Sequence, residues 1–590
     1  MLDPRLTRYL LRFKWRYLVG FAALLSASLV VMLPPLALRH AIDAIAGGTT
    51  RGHLARYALI ILALALVESA LRFVARHMVS GTSRRVEYEL RNDLAEKFME
   101  LDQSFYLRSH TGDLMARCTN DLQVVRDLVG PALIDVLRTL TMILIGFGFL
   151  LSIDTRLALL AIAYFPVIAA VIVSFRATVE AKFQAVQDQF GELANHVQEN
   201  LSGIRTIKAY AQEQAETEAF ARANREMMKR SLSWAYYTGA MWPLMAAMAG
   251  ASTALVLWFG GRDVVSGRIT IGQFVQFNSY LAILANPLMS LGWTVNAWQQ
   301  GSASMRRIAD VLSTRSAVRE PAEPTPVGRV HGQIAFRRVT FGYHHGRPVL
   351  RDIDLTIPAG ATVAICGATG SGKTTLVNLL TRLYDPWEGQ ITLDGVDIRE
   401  LSLADLRAAV GVVPQETFLF SESLRDNIAF GHPDPAASAL AEAVETSQLV
   451  NDLPRLVNGI DTVIGERGVT LSGGQKQRAA LARALLKDPP VLVLDDALAH
   501  VDTHTEEEIL RRLRRFMASR TTILIAHRTS TVASADLIVV LEDGAIAEAG
   551  THEELLRLGG AYARLYRRQL LAEQIEEGGE AEPVEGERTA

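Results

Sequence analysis

The chain has 590 residues, too many for one hydrophobic core and enough for several folded units. It is 49% hydrophobic yet 21% charged, so its apolar residues must be concentrated in part of the chain, as in a membrane protein that carries a soluble domain. The net charge of -3 leaves no basic excess, which argues against nucleic acid as a partner. The only cysteines, Cys118 and Cys366, are far apart in sequence and point to free thiols in a reducing compartment rather than to a disulfide framework.

Residues 17–38 carry no charge, and about 20 apolar residues suffice to cross a bilayer. The preceding basic segment, with Arg5, Arg8, Arg12, Lys14 and Arg16, has the charge of a signal peptide, but no small-residue cleavage site ends the apolar run. Further uncharged stretches cover 139–153, 157–175, 231–261 and 269–305, and a mixed one begins near Tyr57, which makes six expected spans. An even number returns both ends to one side, and the basic N-terminus assigns that side to the cytoplasm. The charged stretches at about 80–130 and 176–230 then also face the cytoplasm. Their Glu, Ala, Leu, Gln and Arg content predicts spanning helices that run on beyond the lipid. Non-periodic breaks at 102–112 and 202–206 are where the soluble part would make contact.

Glu68 and Arg72 lie one helical turn apart inside the second span, where intramembrane charge is a candidate for substrate contact and equally for a locally neutralised pair. Trp242, Met245, Met248 and Trp293 could line an adaptable apolar pocket or face lipid and neighbouring helices.

After about residue 312 the chain turns polar, through Glu320-Pro321-Ala322-Glu323-Pro324, and then alternates strands with helices. The apolar strand at 362–366 runs into Gly367-Ala368-Thr369-Gly370-Ser371-Gly372-Lys373-Thr374, a full match to the phosphate-loop pattern. Glycines let backbone N–H groups turn toward phosphate oxygens, and the next helix presents its positive end. Lys373 reaches the outer phosphates and the Thr374 hydroxyl ligates magnesium, with Thr375 beside it. A second apolar strand, 491–494, ends in Asp495, placed to hold the magnesium water shell. Together the two motifs define a phosphate-loop ATPase that uses ATP and Mg2+.

Leu471-Ser472-Gly473-Gly474-Gln475-Lys476-Gln477-Arg478 resembles the signature motif of ABC proteins, and nearly the whole chain resembles an ABC exporter half-transporter. The resemblance implies that Ser472, Gly473, Gly474 and Gln475, with Asp502, contact ATP held by an opposite cassette, so that two chains are needed to complete either site. It also implies that Tyr343 stacks on adenine, that Gln415 senses the γ-phosphate and magnesium, and that His527 is the switch histidine. Gly465-Glu466-Arg467-Gly468 resembles the cross-talk loop of exporters. Phe105-Tyr106 through Gly112-Asp113-Leu114, and the segment from Gly203 to Lys208, resemble coupling elements.

The acid and the loop that follows it both depart from the family pattern. The residue after the magnesium aspartate is usually a glutamate that orients the attacking water; here it is Asp496, one methylene shorter, and the next loop reads Ala499-His500-Val501-Asp502. Such a weakened acid resembles the degenerate-site subunit of heterodimeric bacterial multidrug exporters and of the antigen-peptide transporter.

The expected fold is therefore an α-helical six-span exporter-type membrane domain (1–312), a linker (313–330), an α/β phosphate-loop ATP-binding cassette with a helical subdomain (331–572) and a disordered acidic tail (573–590). The expected activity is ATP-driven export of hydrophobic or amphipathic cargo from the bacterial cytoplasmic membrane, with N-terminus and cassette in the cytoplasm and a second half-transporter as partner. A homodimeric exporter, an importer built on the exporter fold and an ATP-gated regulatory subunit remain alternatives.

Overall fold

The computed structural model describes residues 4–465, 471–526 and 532–578. They fall into two compact units, one formed by the chain up to residue 96 with 114–313, the other by 97–113 with the chain from 314 onward.

The first unit is helical. Among the described residues, four helices are long and apolar enough to cross a membrane: Lys14–Ala46, Arg51–Glu100, Thr111–Ile153 and Glu213–Val265. Two more, Thr155–Ser202 and Ile271–Ser313, occupy the remaining expected spans; their side chains at 164–169 and 285–293 lie outside the described residues. Trp293 is among these, and the Trp242 and Met245 side chains are also outside. At about 1.5 Å per residue, the helix Arg51–Glu100 is about 75 Å long, more than twice the roughly 30 Å of a hydrocarbon core. Its charged C-terminal half therefore extends beyond lipid, as its composition requires.

At three of the breaks between these helices a side chain takes up a freed backbone group. Pro34 and Pro35 interrupt the first span after Val30, and the Tyr280 hydroxyl, fully buried, donates to the Met32 carbonyl at 2.9 Å. Asp154 caps the helix Thr155–Ser202 by accepting from the Leu157 amide at 2.9 Å. Asp43, near the end of the first span, accepts from the Gly272 amide and the Thr270 hydroxyl, both at 2.9 Å, and so caps the last helix from across the unit. A Cβ at Gly272 would lie 2.5 Å from that carboxylate, so only glycine allows the approach. The third span carries two π-helical turns, Arg117–Asp121 and Leu128–Ala132. Beside the first, buried Asp121 receives the Arg307 guanidinium, with Nε to Oδ2 at 2.9 Å.

The second unit begins with the segment 97–113, which groups with the nucleotide half rather than with the spans around it. The expected non-periodic break contains a short helix, Gln103–Arg108, and the corresponding later break holds the helix Ile204–Ala209. Asp102 caps the first by accepting from the Ser104 amide at 3.0 Å, and its other oxygen accepts from the Ala317 amide at 2.7 Å and the Ser316 hydroxyl at 3.2 Å. Burial opposes its ionisation, but these hydrogen bonds from Ser104 and Ala317 outweigh it and hold the carboxyl below the usual carboxylate range.

The rest of the unit contains two sheets. An antiparallel sheet has the order β2-β1-β4-β5, with β1 Ile334–Phe341, β2 Leu350–Ile357, β4 Glu388–Leu393 and β5 Val396–Asp397. A six-stranded sheet has the order β10-β9-β3-β8-β7-β6, formed by β3 Thr362–Gly367, β6 Val410–Val413, β7 Val491–Asp495, β8 Thr521–Ile525, β9 Leu537–Glu542 and β10 Ala545–Gly550. All its pairings are parallel except β9 with β10. Alternate residues of β3 enter different cores, as a period of two demands: Val363 and Ile365 pack toward the antiparallel sheet, Ala364 and Cys366 toward the helical side. Burial pushes the Cys366 thiol up to about 12, so it stays protonated, and both cysteines are free.

The C-terminal helix Ala561–Gly578 corrects the expected start of the tail: residues 573–578 are helical, because Gln, Ile and Glu there continue a run of good helix formers. Residues 579–590 lie outside the described residues.

Asp102 supplies a test of how the segment 97–113 is held. Because its carboxyl is depressed, its stabilisation is complete above the ordinary carboxylate pKa of about 4 and is lost as pH falls through the lower folded value. Asp102→Ala should remove it at neutral pH, and hydrogen exchange should quicken at amides 103–108 and at Ala317 while the β3 amides stay protected.

Candidate functional site

β3 leaves the sheet at Gly367, and the chain turns back over its end before the helix Lys373–Leu380 begins. Gly370 and Gly372 adopt φ of 84° and 104°, conformations that an L side chain rarely takes. A Cβ at Gly370 would meet nothing within 4 Å, so this turn presents bare backbone to open space. Lys373 folds back over the loop, its Nζ donating to the Gly367 and Ala368 carbonyls, both at 2.9 Å. Burial lowers its pKa, with Asp495 and Asp496 among the charges that oppose the shift. The Ser371 hydroxyl is buried without a protein partner, while Thr374 is exposed at the start of the helix. An orphan hydroxyl, a lysine and a turn of inward backbone form a donor set suited to phosphate oxygens.

The opposite wall comes from the parallel strand ends. β8 lies between β3 and β7, and Asp495 pairs in register with Ile525. Asp495 is buried at the carboxyl end of β7, and the following Asp496 has φ 49°, a left-handed conformation that aspartate tolerates. Its amide donates to the Ile525 carbonyl at 2.8 Å, which fixes the turn, and Gln415 Nε2 lies 3.5 Å from its Oδ2. A cleft of about 340 Å³ results, bounded by Thr369, Gly370, Gly372, Lys373, Thr374 and Thr375 on one side and by Gln415, Asp495 and Asp496 on the other. Tyr343 is also on its rim. The Tyr343 ring packs edge-on against Phe341 and Tyr384, and its hydroxyl lies 3.1 Å from Thr375 Oγ1, so the ring is held at the cleft by packing and a hydrogen bond.

Ser472, Gly473, Gly474, Gln475 and Asp502 do not line this cleft. Ser472 caps the helix Gly473–Leu486 in a reciprocal capping box: its hydroxyl accepts from the Gln475 amide at 3.3 Å, and Gln475 Oε1 accepts from the Ser472 amide at 2.9 Å. A Cβ at Gly474 would come 2.9 Å from the His500 carbonyl, so that glycine is required by the backbone passing it. Asp502 caps the helix Thr503–Met517, accepting from the Thr505 amide at 2.9 Å, and that bond lowers its pKa. His527 and the cross-talk residues Glu466–Gly468 lie outside the described residues.

Two further residues hold this helix in place, and one of them, Asp452, carries no sequence signal. Gln477 joins the signature helix to the loop after Asp496: its Oε1 accepts from the His500 amide at 2.9 Å, and its Nε2 lies 3.0 Å from His500 Nδ1. Asp452, buried in an irregular stretch, accepts from Gln475 and Arg478. Only burial and partners single out Asp452.

Residues 17–288 match the ABC transporter transmembrane region family, and residues 350–499 match the ABC transporter family. The chain is 37% identical over 569 residues to the probable multidrug resistance ABC transporter ATP-binding/permease protein YheI of Bacillus subtilis (strain 168), covering 96% of this chain and 97% of that one. It is 36% identical over 520 residues to the ATP-dependent lipid A-core flippase of Syntrophus aciditrophicus (strain SB), covering 88% and 86%. A solved bacterial Atm1-family ABC exporter with ATP bound is similar over 99% of this chain and 100% of its own, with a TM-score of 0.76 at 29% identity. With a transmembrane region and an ATP-binding cassette fused in one polypeptide, the chain belongs to the ABC transporter family.

Proposed function

We propose that the chain hydrolyses ATP to export hydrophobic or amphipathic molecules by alternating access, as one of two half-transporters, and that its own ATP site is weakened at Asp496. The observation that carries this reading is the separation of the two motifs: the phosphate loop lines its own cleft, whereas Ser472–Gln475 cap a helix that does not border it. A second chain would then supply the signature to this cleft and receive this signature in return. The names of two relatives, a probable multidrug resistance transporter and a lipid A-core flippase, support export of a hydrophobic or amphipathic cargo.

Within the site, Lys373, the exposed backbone around Gly370 and the Ser371 hydroxyl bind the phosphates. Thr374, Gln415 and Asp495 would hold Mg2+, Asp495 through water, and the ion would neutralise charge developing on the transferred phosphoryl group. Asp496 is left to orient the attacking water. A carboxylate one methylene shorter is withdrawn by about 1.5 Å, a misplacement that costs on the order of a hundredfold in rate. Its Gln415 neighbour, at 3.5 Å, gives only a weak hydrogen bond to hold it forward. ATP binding draws the cassettes together and turns the cavity outward; hydrolysis, chiefly at the partner's acid, resets it. The N-terminus and cassette lie in the cytoplasm, and the membrane is the bacterial cytoplasmic membrane.

The spans add a polar element to an apolar path. Arg72 Nε donates to Glu68 Oε1 at 2.7 Å on the second span. On the third, Asp135 and Arg138 lie within electrostatic reach of Arg76, and Arg138 also of Glu68 and Arg72. Charges grouped at this depth suit an amphiphile with a polar head better than a plain hydrocarbon.

Three outcomes are expected. The chain purified alone should hydrolyse ATP slowly, and Asp496→Glu should raise that rate by on the order of a hundredfold; fast hydrolysis by the unaltered chain would refute the weakened site. Ser472→Arg, assayed with the partner present, should abolish most hydrolysis while leaving trinitrophenyl-ATP binding at Lys373 intact. In inverted vesicles containing both subunits, Glu68→Gln with Arg72→Gln should alter the relative ATP-dependent uptake of charged and neutral amphiphiles. Unchanged uptake of every cargo would remove that pair from substrate contact.

A further inference from the structure

We infer that Asp452 is a positioning residue that aims the amino end of the signature helix at the ATP of the opposite cassette, an inference that rests on the paired reading above. Asp452 is 5% exposed and sits between two short 3-10 turns, Leu449–Asn451 and Leu453–Arg455, with no motif around it. Its Oδ1 accepts from Gln475 Nε2 at 3.1 Å. Its Oδ2 accepts from Arg478 Nε at 3.0 Å and from Arg478 Nη2 at 2.7 Å. Gln475 uses its other end on the backbone of Ser472. A hydrogen-bonded chain therefore runs from the buried carboxylate through Gln475 to Ser472, the first residue of the Ser-Gly-Gly triplet.

The geometry sets orientation in two places. Gln475 alone could pivot about its own capping box, since a box fixes the helix end only relative to itself. Asp452 ties that box to the interior, and the second tie, to Arg478, fixes the rotation of the helix one turn further on. Glycines at 473 and 474 bring no side chain to steady this end, and Gly474 is already pressed against the His500 carbonyl. Gln477 ties the next turn to the His500 loop, and Asp452 anchors the end itself from behind.

Charge makes the arrangement testable. The amino end of a helix carries a partial positive charge that favours phosphate, and an unpaired carboxylate beside it would cancel that field. The Arg478 guanidinium pairs with Asp452, and both side chains are largely buried, at 12% and 7% exposure, so the field at the triplet survives. An electrostatic role and a positioning role then predict opposite patterns. If Asp452 and Arg478 acted only through charge, Asp452→Asn would strengthen the attraction for ATP and Arg478→Gln would weaken it. If they position the helix, both substitutions weaken it.

The test uses the full-length chain in its dimeric transporter, reconstituted in nanodiscs. ATP hydrolysis is measured against ATP concentration, trinitrophenyl-ATP binding reports the chain's own phosphate loop, and thermal melting reports folding. Both Asp452→Asn and Arg478→Gln should raise the KM for ATP about tenfold, the loss expected for one charge-assisted hydrogen bond, with trinitrophenyl-ATP affinity within about twofold. The double variant should be no worse than either single one. KM shifts of opposite sign, or an unchanged KM accompanied only by a lower melting temperature, would overturn the inference. Ser472→Arg is the reference: if it leaves hydrolysis untouched, the paired reading falls and the role of Asp452 falls with it, whereas a damaging Ser472→Arg beside silent Asp452 and Arg478 variants sinks the role of Asp452 alone.

Discussion

β3 is buried on both faces, and the phosphate loop begins at the one point where that strand leaves the sheet. Val363 and Ile365 are locked into one core and Ala364 and Cys366 into the other, so the strand can neither slide nor rotate by a residue without turning its side chains inside out. Gly367 follows directly, with φ 149°, and a Cβ there would stand 2.3 Å from the Leu541 carbonyl of the neighbouring strand. The loop's backbone therefore emerges at a fixed height, and Lys373, Asp495 and Asp496 converge because their strands share the same register. Ligand sites at the carboxyl ends of parallel strands follow from this arrangement.

The membrane unit solves a different problem with a similar economy. Long helices in lipid leave no water to satisfy a broken backbone, so each interruption needs a specific partner. Tyr280 serves the carbonyl ahead of Pro34, and Asp43 and Asp154 serve helix starts. The ion pair of Asp121 with Arg307 stands beside a π-helical turn, a feature often found where helices have functional irregularities.

Asp496 concentrates the question of asymmetry. Its backbone is well fixed, by the Ile525 carbonyl and a left-handed φ, and its carboxylate lines the cleft beside Gln415 and Asp495. The loop that follows is joined to the signature helix through Gln477 and His500, so the residues after Asp496 and the helix capped by Ser472 are hydrogen-bonded to each other within a single chain. In the proposed pairing, a weak acid here would leave this chain's signature as its main contribution to turnover.

The amino-acid sequence by itself determined that an ATP-binding cassette and membrane-spanning helices share this chain, because both signals are local. A phosphate loop is a contiguous pattern of glycines, lysine and hydroxyl, and a span is a contiguous run without charge. It also located the departure at Asp496. What it left open depended on distant residues meeting. The segment 97–113 reads as a break in a membrane helix, yet it groups with the nucleotide half, where Asp102 receives the Ala317 amide from more than 200 positions along the chain. The tail read as disordered from its glutamates, but residues 573–578 continue a helix because the preceding turns had already met the cost of nucleation. Asp452 stands in a stretch without periodicity, and nothing in its neighbours marks it. Only the folded chain brings it to Gln475 and Arg478, because a buried carboxylate is stable solely where donors from other elements surround it.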